Sequence, residues 1–275
     1  MKDCDAALRF VDAHVHLSDP AYRGKTSEIV KIAKQVGVVA LISNSMNLET
    51  SRLSLRLAEE HPSLIYAAVG IHPWNVNQLA PKELQQTVDF IAEKSANKEK
   101  VVAIGEVGLD PQYAKKKAQK EQQAEVFREM LRLAAELGLP VIVHSRWSSQ
   151  KILDILPSYR LRGVLWHWFS SPIELLPRIV ERGDYVSEGP PVVFSARIQE
   201  VIQAVPLERL LTETDGPVQY SAFFKDMPTT PAFIPEVVKA ISQVKGIDES
   251  QVAEQILLNF QSFFDLRPRH EINTH

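Results

Sequence analysis

Residues 101–110 read VVAIGEVGLD, a short apolar run that carries a carboxylate at Glu106. Four other apolar runs also finish on side chains that can bind a metal: FVDAHVH (10–16), PVIVHSR (140–146), GVLWHWF (163–169) and RLLTETDGP (209–217). Short apolar runs of this kind predict buried β-strands, each with a polar group near its end. The candidate metal ligands are His14, His16, Glu106, His144, His167 and Asp215.

Strand-like runs alternate with helical segments along the whole chain. The runs lie near residues 9–13, 37–43, 64–70, 101–106, 140–144, 163–167, 184–188 and 209–214. The clearest helical segment is 115–138, where Val126, Met130 and Leu133 recur at helical spacing before Gly138 ends the segment. Eight strand–helix units in about 250 residues predict an α/β fold with a parallel eight-stranded (β/α)8 TIM barrel.

Length and composition fit one globular unit. The chain has 275 residues, of which 45% are hydrophobic, and its formal net charge is −3. We expect a single domain over residues 1–268 and a disordered C-terminal tail over residues 269–275. The opening MKDCDAALRF lacks the apolar stretch of a signal peptide, and Cys4 is the single cysteine. These features predict a soluble, cytoplasmic protein without membrane association. No obligate protein partner is evident from the sequence.

The barrel gives these distant residues a common location. In such barrels the C-terminal ends of the strands form one face, where active sites are built. His14 and His16 are two residues apart on an extended segment, so their rings point the same way. Histidines near a strand end can also be buried groups that hydrogen-bond to the backbone. Several imidazoles and carboxylates together favour a metal site, because burying them is costly unless they are paired or metal-bound.

Six motifs carry a family resemblance. VDAHVHL, AAVGIHPW, AIGEVGLD, VIVHSR, HWFS and ETDGP, in this order, resemble the TatD family of metal-dependent deoxyribonucleases in the amidohydrolase superfamily. The similarity runs from about Phe10 to the last helical segment. It implies that the six candidate ligands bind two divalent cations and that Glu106 bridges them. His and carboxylate ligands accept Zn²⁺, Mn²⁺, Fe²⁺, Co²⁺ and, less readily, Mg²⁺.

The resemblance also implies a reaction. Two cations about 3.5–4 Å apart can hold a hydroxide that attacks a scissile phosphate and stabilise the leaving group. The expected activity is that of a two-metal phosphodiesterase or deoxyribonuclease acting on single-stranded or end-frayed DNA. Asp215 is the predicted acceptor of the water's proton, and Glu106 and His72 complete the predicted catalytic set.

Two residues are predicted to contact the substrate. By resemblance, His72 meets the substrate, and the alternative is that it only packs before the turn at Pro73. Arg146 follows His144 by two residues and can clamp a phosphate with two hydrogen bonds. The alternative for Arg146 is a salt bridge to a nearby loop acid.

Further polar and aromatic residues lie near the strand ends. Asp12 and Glu213 share strand parity with candidate ligands, so they either orient imidazoles or form ordinary hydrogen bonds inside the barrel. Trp74, Trp147 and Trp168 also follow strand ends. Tryptophans at such positions either stack on bases or pack loops against the barrel.

The chain departs from the family pattern around the substrate. VQYSAFFKDMPTTPAFIPEV (218–237) lacks the arginine and asparagine that the family usually places before its Pro-Ala segment. Trp168, Ser171 and Pro111 also stand at positions where the family usually has other residue types. Two alternatives therefore stay open: a hydrolase of a small-molecule ester, lactone, amide or amine, and a metal-bound scaffold without catalysis.

Overall fold

A computed structural model of the protein describes residues 8–95 and 100–266. Its eight strands form one sheet in the order β1 to β8, and each neighbouring pair is parallel. The predicted (β/α)8 barrel is thereby confirmed. The strands are Phe10–Val15 (β1), Val38–Asn44 (β2), Ile65–Val69 (β3), Val101–Gly108 (β4), Val141–His144 (β5), Val164–Trp166 (β6), Tyr185–Glu188 (β7) and Leu210–Thr212 (β8).

Helices surround the strands. They are Thr26–Gln35 (α1), Leu48–Glu60 (α2), Pro73–Val76 (α3), Pro81–Ser95 (α4), Lys117–Leu137 (α5), Ser149–Ile155 (α6), Leu176–Glu181 (α7), Ala196–Ala204 (α8), Ile234–Lys245 (α9) and Glu249–Phe264 (α10). None of the helices in residues 8–95 and 100–266 has the length and apolar character needed to cross a bilayer. The predicted tail 269–275 lies outside the described residues, so the domain limit at residue 268 stays a prediction.

Burial on both faces explains the apolar strands. All eight residues of β4 are buried, because one face lines the barrel and the other packs under helices. The helix α5 agrees with the predicted segment and ends at Gly138, whose φ of 63° is the left-handed C-cap conformation. After β8, α9 packs against β1 and α10 against both β1 and β8.

Hydrogen bonds outside the regular strand pairing join the first strand of the barrel to the last strand and the loop after it. Thr212 Oγ1 donates to the carbonyl of Val11 at 2.7 Å. Beyond β8, the amide of Asp215 donates to the carbonyl of His14 at 2.8 Å, and the amide of His16 donates to that of Gly216 at 2.8 Å. These bonds fix Asp215 beside the two histidines of β1.

Candidate metal centre

The six predicted ligands converge at the C-terminal mouth of the barrel, and all of them are buried. Their positions are His14 in β1, His16 directly after β1, Glu106 in β4, His144 at the end of β5, His167 directly after β6 and Asp215 in the loop after β8. The mouth is where parallel strands bring residues of distant sequence together. The common location that the sequence predicts is therefore present in the structure.

One oxygen of Glu106 faces the histidines of β1. Glu106 Oε2 lies 3.3 Å from His14 Nε2 and 3.2 Å from His16 Nε2. The same two nitrogens lie 3.4 Å and 3.5 Å from Asp215 Oδ1, and they are 3.1 Å apart from each other. Two ring nitrogens at this distance need a proton or a cation between them, since two lone pairs would repel. This donor set fits a divalent cation.

The other oxygen of Glu106 faces a second group of imidazoles. Glu106 Oε1 lies 2.7 Å from His144 Nδ1, 3.0 Å from His167 Nε2 and 3.1 Å from His72 Nε2. Each carboxylate oxygen thus has its own set of nitrogens. This arrangement suits a carboxylate that joins two cation positions.

Three sets of side chains have ligand atoms within 4.8 Å of one another: His14, His16 and Glu106; His72, Glu106 and His144; His14, His167 and Glu213. Glu106 belongs to two of these sets. It is therefore the residue on which the cluster is centred.

The charge balance of the cluster depends on a bound cation or proton. Burial alone would raise the pKa of Glu106, but the rings of His72, His167 and His14 hold it well below its ordinary value. Burial would lower the pKa of His16, but Asp215 and Glu106 raise it to about 10. The buried, ionised carboxylates therefore need positive charge beside them. Protons on the histidines supply this charge when no metal cation is bound.

His72 presents an N–H group to the cluster. Its Nδ1 accepts a hydrogen bond from the amide of Trp74 at 3.1 Å, so the proton of the neutral ring belongs on Nε2, facing Glu106. Burial lowers the pKa of His72 to about 4, which keeps the ring neutral at pH 7. An N–H group donates hydrogen bonds and does not ligate a metal in this tautomer.

A second layer of carboxylates lies deeper in the barrel. Glu213 Oε1 is 3.4 Å from His167 Nδ1, which is the geometry of a carboxylate that orients an imidazole. Asp12 instead accepts from the backbone amides of His14 and Thr214, at 3.1 Å and 3.2 Å, and from the Thr214 hydroxyl. Asp12 therefore fixes the backbone of β1 against the loop after β8 and contacts no imidazole nitrogen in these bonds.

Asp110 is a site residue that the sequence reasoning missed. Its Oδ2 lies 2.9 Å from His144 Nε2 and accepts a hydrogen bond of 2.9 Å from Trp74 Nε1. Gln123 holds the backbone of Asp110, because its side chain bonds to both the amide and the carbonyl of that residue. The available signal was local: Asp110, like the predicted ligands, follows an apolar strand.

Arg146 lies at the edge of the cluster. Its Nη1 donates to Gln112 Oε1 at 3.1 Å and is 4.0 Å from Asp110 Oδ2. The guanidinium group lies 5.8 Å from the centre of the Trp74 ring. Arg146 therefore approaches a loop acid, as one alternative expects, and it also lines the cavity above the cluster. Its contact with a phosphate stays a prediction.

That cavity has a volume of about 340 Å³ and is lined by His16, His72, Glu106, His144, His167 and Asp215 together with aromatic and loop residues. Trp74 and Trp168 are among them, so two aromatic side chains line the cavity beside the charged residues. The volume is at the lower end of the range for small-molecule sites.

Comparisons with known proteins agree with this site. The family model described as TatD related DNase matches residues 11–265. The chain is 32% identical to the metal-dependent hydrolase YabD of Bacillus subtilis, over 92% of this chain and 98% of the relative. It is 30% identical to the human deoxyribonuclease TATDN3, over 94% of this chain and 96% of the relative.

A further relative and a solved structure extend the similarity. The 3'-5' ssDNA/RNA exonuclease TatD of Erwinia tasmaniensis is 29% identical over 93% of this chain and 99% of the relative. The crystal structure of YjjV, a TatD homologue from Escherichia coli, superposes with a TM-score of 0.86 at 29% identity, covering 95% of this chain and all of that one. Because the family model spans nearly all the described residues, the chain belongs to the TatD family of metal-dependent hydrolases.

Proposed function

We propose that this hydrolase is a phosphodiesterase that binds two divalent cations and cleaves single-stranded or end-frayed DNA. The observation that carries the proposal is the position of Glu106, whose two oxygens face two separate groups of imidazoles. Divalent cations, when bound there, lower the pKa of a water and neutralise the charge on a phosphate.

The protein side chains supply the remaining functions. Burial would raise the pKa of Asp215, but the hydrogen bond to His16 and the nearby rings of His167 and His14 hold it below its ordinary value. Asp215 is therefore ionised at pH 7 and able to take a proton from an attacking water. His72 lines the cavity and is neutral at pH 7, so the N–H that it directs at Glu106 is available to a phosphate oxygen bound beside that carboxylate.

The names of relatives support a nucleic-acid substrate. The Erwinia tasmaniensis relative is named a 3'-5' ssDNA/RNA exonuclease, and the human relative is named a deoxyribonuclease. Arg146 at the rim of the cavity provides a fixed positive charge, which suits an anionic phosphodiester.

The test is nucleotide release from a single-stranded DNA oligonucleotide with Mn²⁺ or Mg²⁺, beside metal analysis of the purified protein. We expect two ions per chain, activity that a chelator abolishes, and a loss of at least ~10³-fold in Glu106→Ala. Glu254→Ala, which removes an exposed carboxylate of α10, is the matched control.

Two results would contradict the proposal. Hydrolysis of phenyl esters, lactones or amides without any cleavage of DNA or RNA would select the small-molecule alternative. Metal uptake without hydrolysis of any of these compounds would select the scaffold.

A further inference from the structure

A second groove lies beside the cavity of the metal centre. It has a volume of about 690 Å³, and we call it the Trp147 groove, lined by Trp147, Lys151, Ser170, Ser171 and Arg197 among others. Ser170 lines both this groove and the cavity over the metal cluster. The two spaces are therefore neighbours, and one extended ligand can occupy both.

Trp147 offers an unused aromatic face. Its side chain is 75% exposed, more than that of any other large hydrophobic residue in the described ranges. Its φ of 51° is left-handed, a conformation that costs a non-glycine residue about 1–2 kcal/mol. An exposed tryptophan in a disfavoured backbone conformation contributes little to the stability of the folded chain. The indole of Trp147 is therefore free to stack on a planar ligand.

The groove also carries free positive charge. Neither Lys151 nor Arg197 forms an ion pair with any residue that the structure describes, and both are exposed. Arg197 donates a hydrogen bond to the carbonyl of Ser170, which places its guanidinium group at the boundary with the metal cavity. The acid of the groove, Asp154, lies 3.5 Å from Arg178 and is thus partly neutralised.

We propose that the Trp147 groove binds the nucleotides next to the scissile phosphate of a single-stranded nucleic acid, with a base on Trp147 and backbone phosphates near Lys151 and Arg197. This inference rests on the proposed function and extends it by assigning a path to the strand. Stacking on an exposed indole combined with cations along a groove is how single strands are bound without a sequence preference. A duplex hides the faces of its bases, so it cannot use Trp147 in this way.

The first experiment compares two substrates of the metal-loaded enzyme. Thymidine 5'-monophosphate p-nitrophenyl ester is small enough for the metal cavity alone, whereas a 12-nucleotide single strand extends into the groove. We expect Trp147→Ala and Lys151→Ala each to lower kcat/KM for the oligonucleotide about tenfold more than for the ester. Leu258→Ala, at an exposed leucine of α10 outside the groove, is the matched control and should not change this ratio.

The second experiment measures binding without catalysis. Fluorescence anisotropy of the labelled 12-nucleotide strand is recorded with chelated protein, together with circular dichroism to verify folding of each variant. We expect the strand to bind about tenfold more weakly to Trp147→Ala than to the wild type, and the same sequence as a duplex to bind the wild type at least tenfold more weakly. This result would support the groove even if the wild type cleaved no nucleic acid and the proposed function failed.

Other outcomes overturn the groove. If the wild type cleaves the oligonucleotide but neither variant changes the ratio of the two substrates, the strand takes another path. If the wild-type protein does not bind the strand, or Leu258→Ala weakens binding as much as Trp147→Ala, the groove is not a nucleic-acid site.

Discussion

The Nε2 atom of His144 lies 2.9 Å from Oδ2 of Asp110, on the side of the ring opposite Glu106. Burial would raise the pKa of Asp110, but the bonds from His144 and Trp74 lower it, so this carboxylate is ionised. An ionised carboxylate behind an imidazole fixes the ring's orientation and makes its other nitrogen a better metal ligand. Asp110 is thus a positioning residue for the metal centre.

Replacing Asp110 with asparagine should weaken metal binding and activity together. The Asn amide keeps the size of the side chain but loses its charge, so we expect metal affinity to fall about 10–100-fold. Calorimetric titration with Mn²⁺ measures this, and Asp89→Asn on the exposed face of α4 is the control. An affinity equal to that of the wild type would mean that Asp110 does not act through His144.

Glu188 should make the protein less stable as the pH rises. Burial raises its pKa well above the ordinary value of 4.5, and the nearby Glu213 raises it further, while His167 and the backbone at Phe169 oppose this. Neither carboxylate oxygen has a hydrogen bond of normal geometry within the described residues. Because the folded state keeps a proton that the unfolded chain releases, the free energy of unfolding falls as pH rises above about 4.5.

Glu188→Gln removes this dependence, since an amide stays neutral in both states. Between pH 5 and pH 6 we expect the stability of the variant relative to the wild type to increase by about 1.4 kcal/mol. Urea denaturation of chelated protein at both pH values gives the number, with Glu254→Gln as the control at an exposed position. Parallel pH profiles of variant and wild type would refute the assignment.

Metal affinity should increase with pH. The pKa of His16 is about 10 because burial, which lowers it, is outweighed by Asp215 and Glu106. A ligand binds a cation only after losing its proton, so below pH 10 each displaced proton makes the affinity rise about tenfold per pH unit.

Calorimetry in buffers of different ionisation enthalpy counts the released protons. We expect at least one proton per chain in the wild type at pH 7 and fewer in His16→Asn. His61→Asn, at the end of α2 and outside the cluster, should behave as the wild type. Binding that releases no proton would show that His16 is no ligand.

Gly108 should tolerate no side chain. Its φ is 154°, and a Cβ atom placed there would lie 2.0 Å from the carbonyl oxygen of His144. Gly108→Ala therefore has to separate β4 from β5, and we expect a loss of about 3 kcal/mol or more in the free energy of unfolding.

Gly24 provides the matched control for this substitution. It also has a positive φ, 75°, but a Cβ there meets no atom within 4 Å. Gly24→Ala should therefore cost only about 1 kcal/mol of backbone strain. Equal losses for the two variants, measured by urea denaturation, would show that the approach to His144 is not what requires glycine at position 108.

The fold could be predicted well because its signals are local. The Val and Ile of β4 and β5 form short apolar runs, and the intervening segment has helical spacing that Gly138 ends. Repetition of this unit leaves few alternatives to a parallel barrel. The six candidate ligands were visible for the same reason, since each stands at or just after an apolar run.

The contacts within the site could not be predicted in this way. Asp110 and His144 are 34 residues apart, and their bond depends on the register of β4 against β5. The exposure of Trp147 could not be predicted either. A tryptophan after a strand end gives the same sequence pattern whether it packs a loop against the barrel or stacks on a ligand.

By itself, therefore, the sequence determined the barrel, the family and the strand ends that carry imidazoles and carboxylates, since hydrophobic periodicity and short motifs act over a few residues. The tertiary structure alone decided that Glu106 divides its oxygens between two groups of histidines and that Asp215 lies beside His14. Such distances arise from strand register and from the closure of β8 on β1, which join residues about 200 positions apart, and no local pattern encodes them.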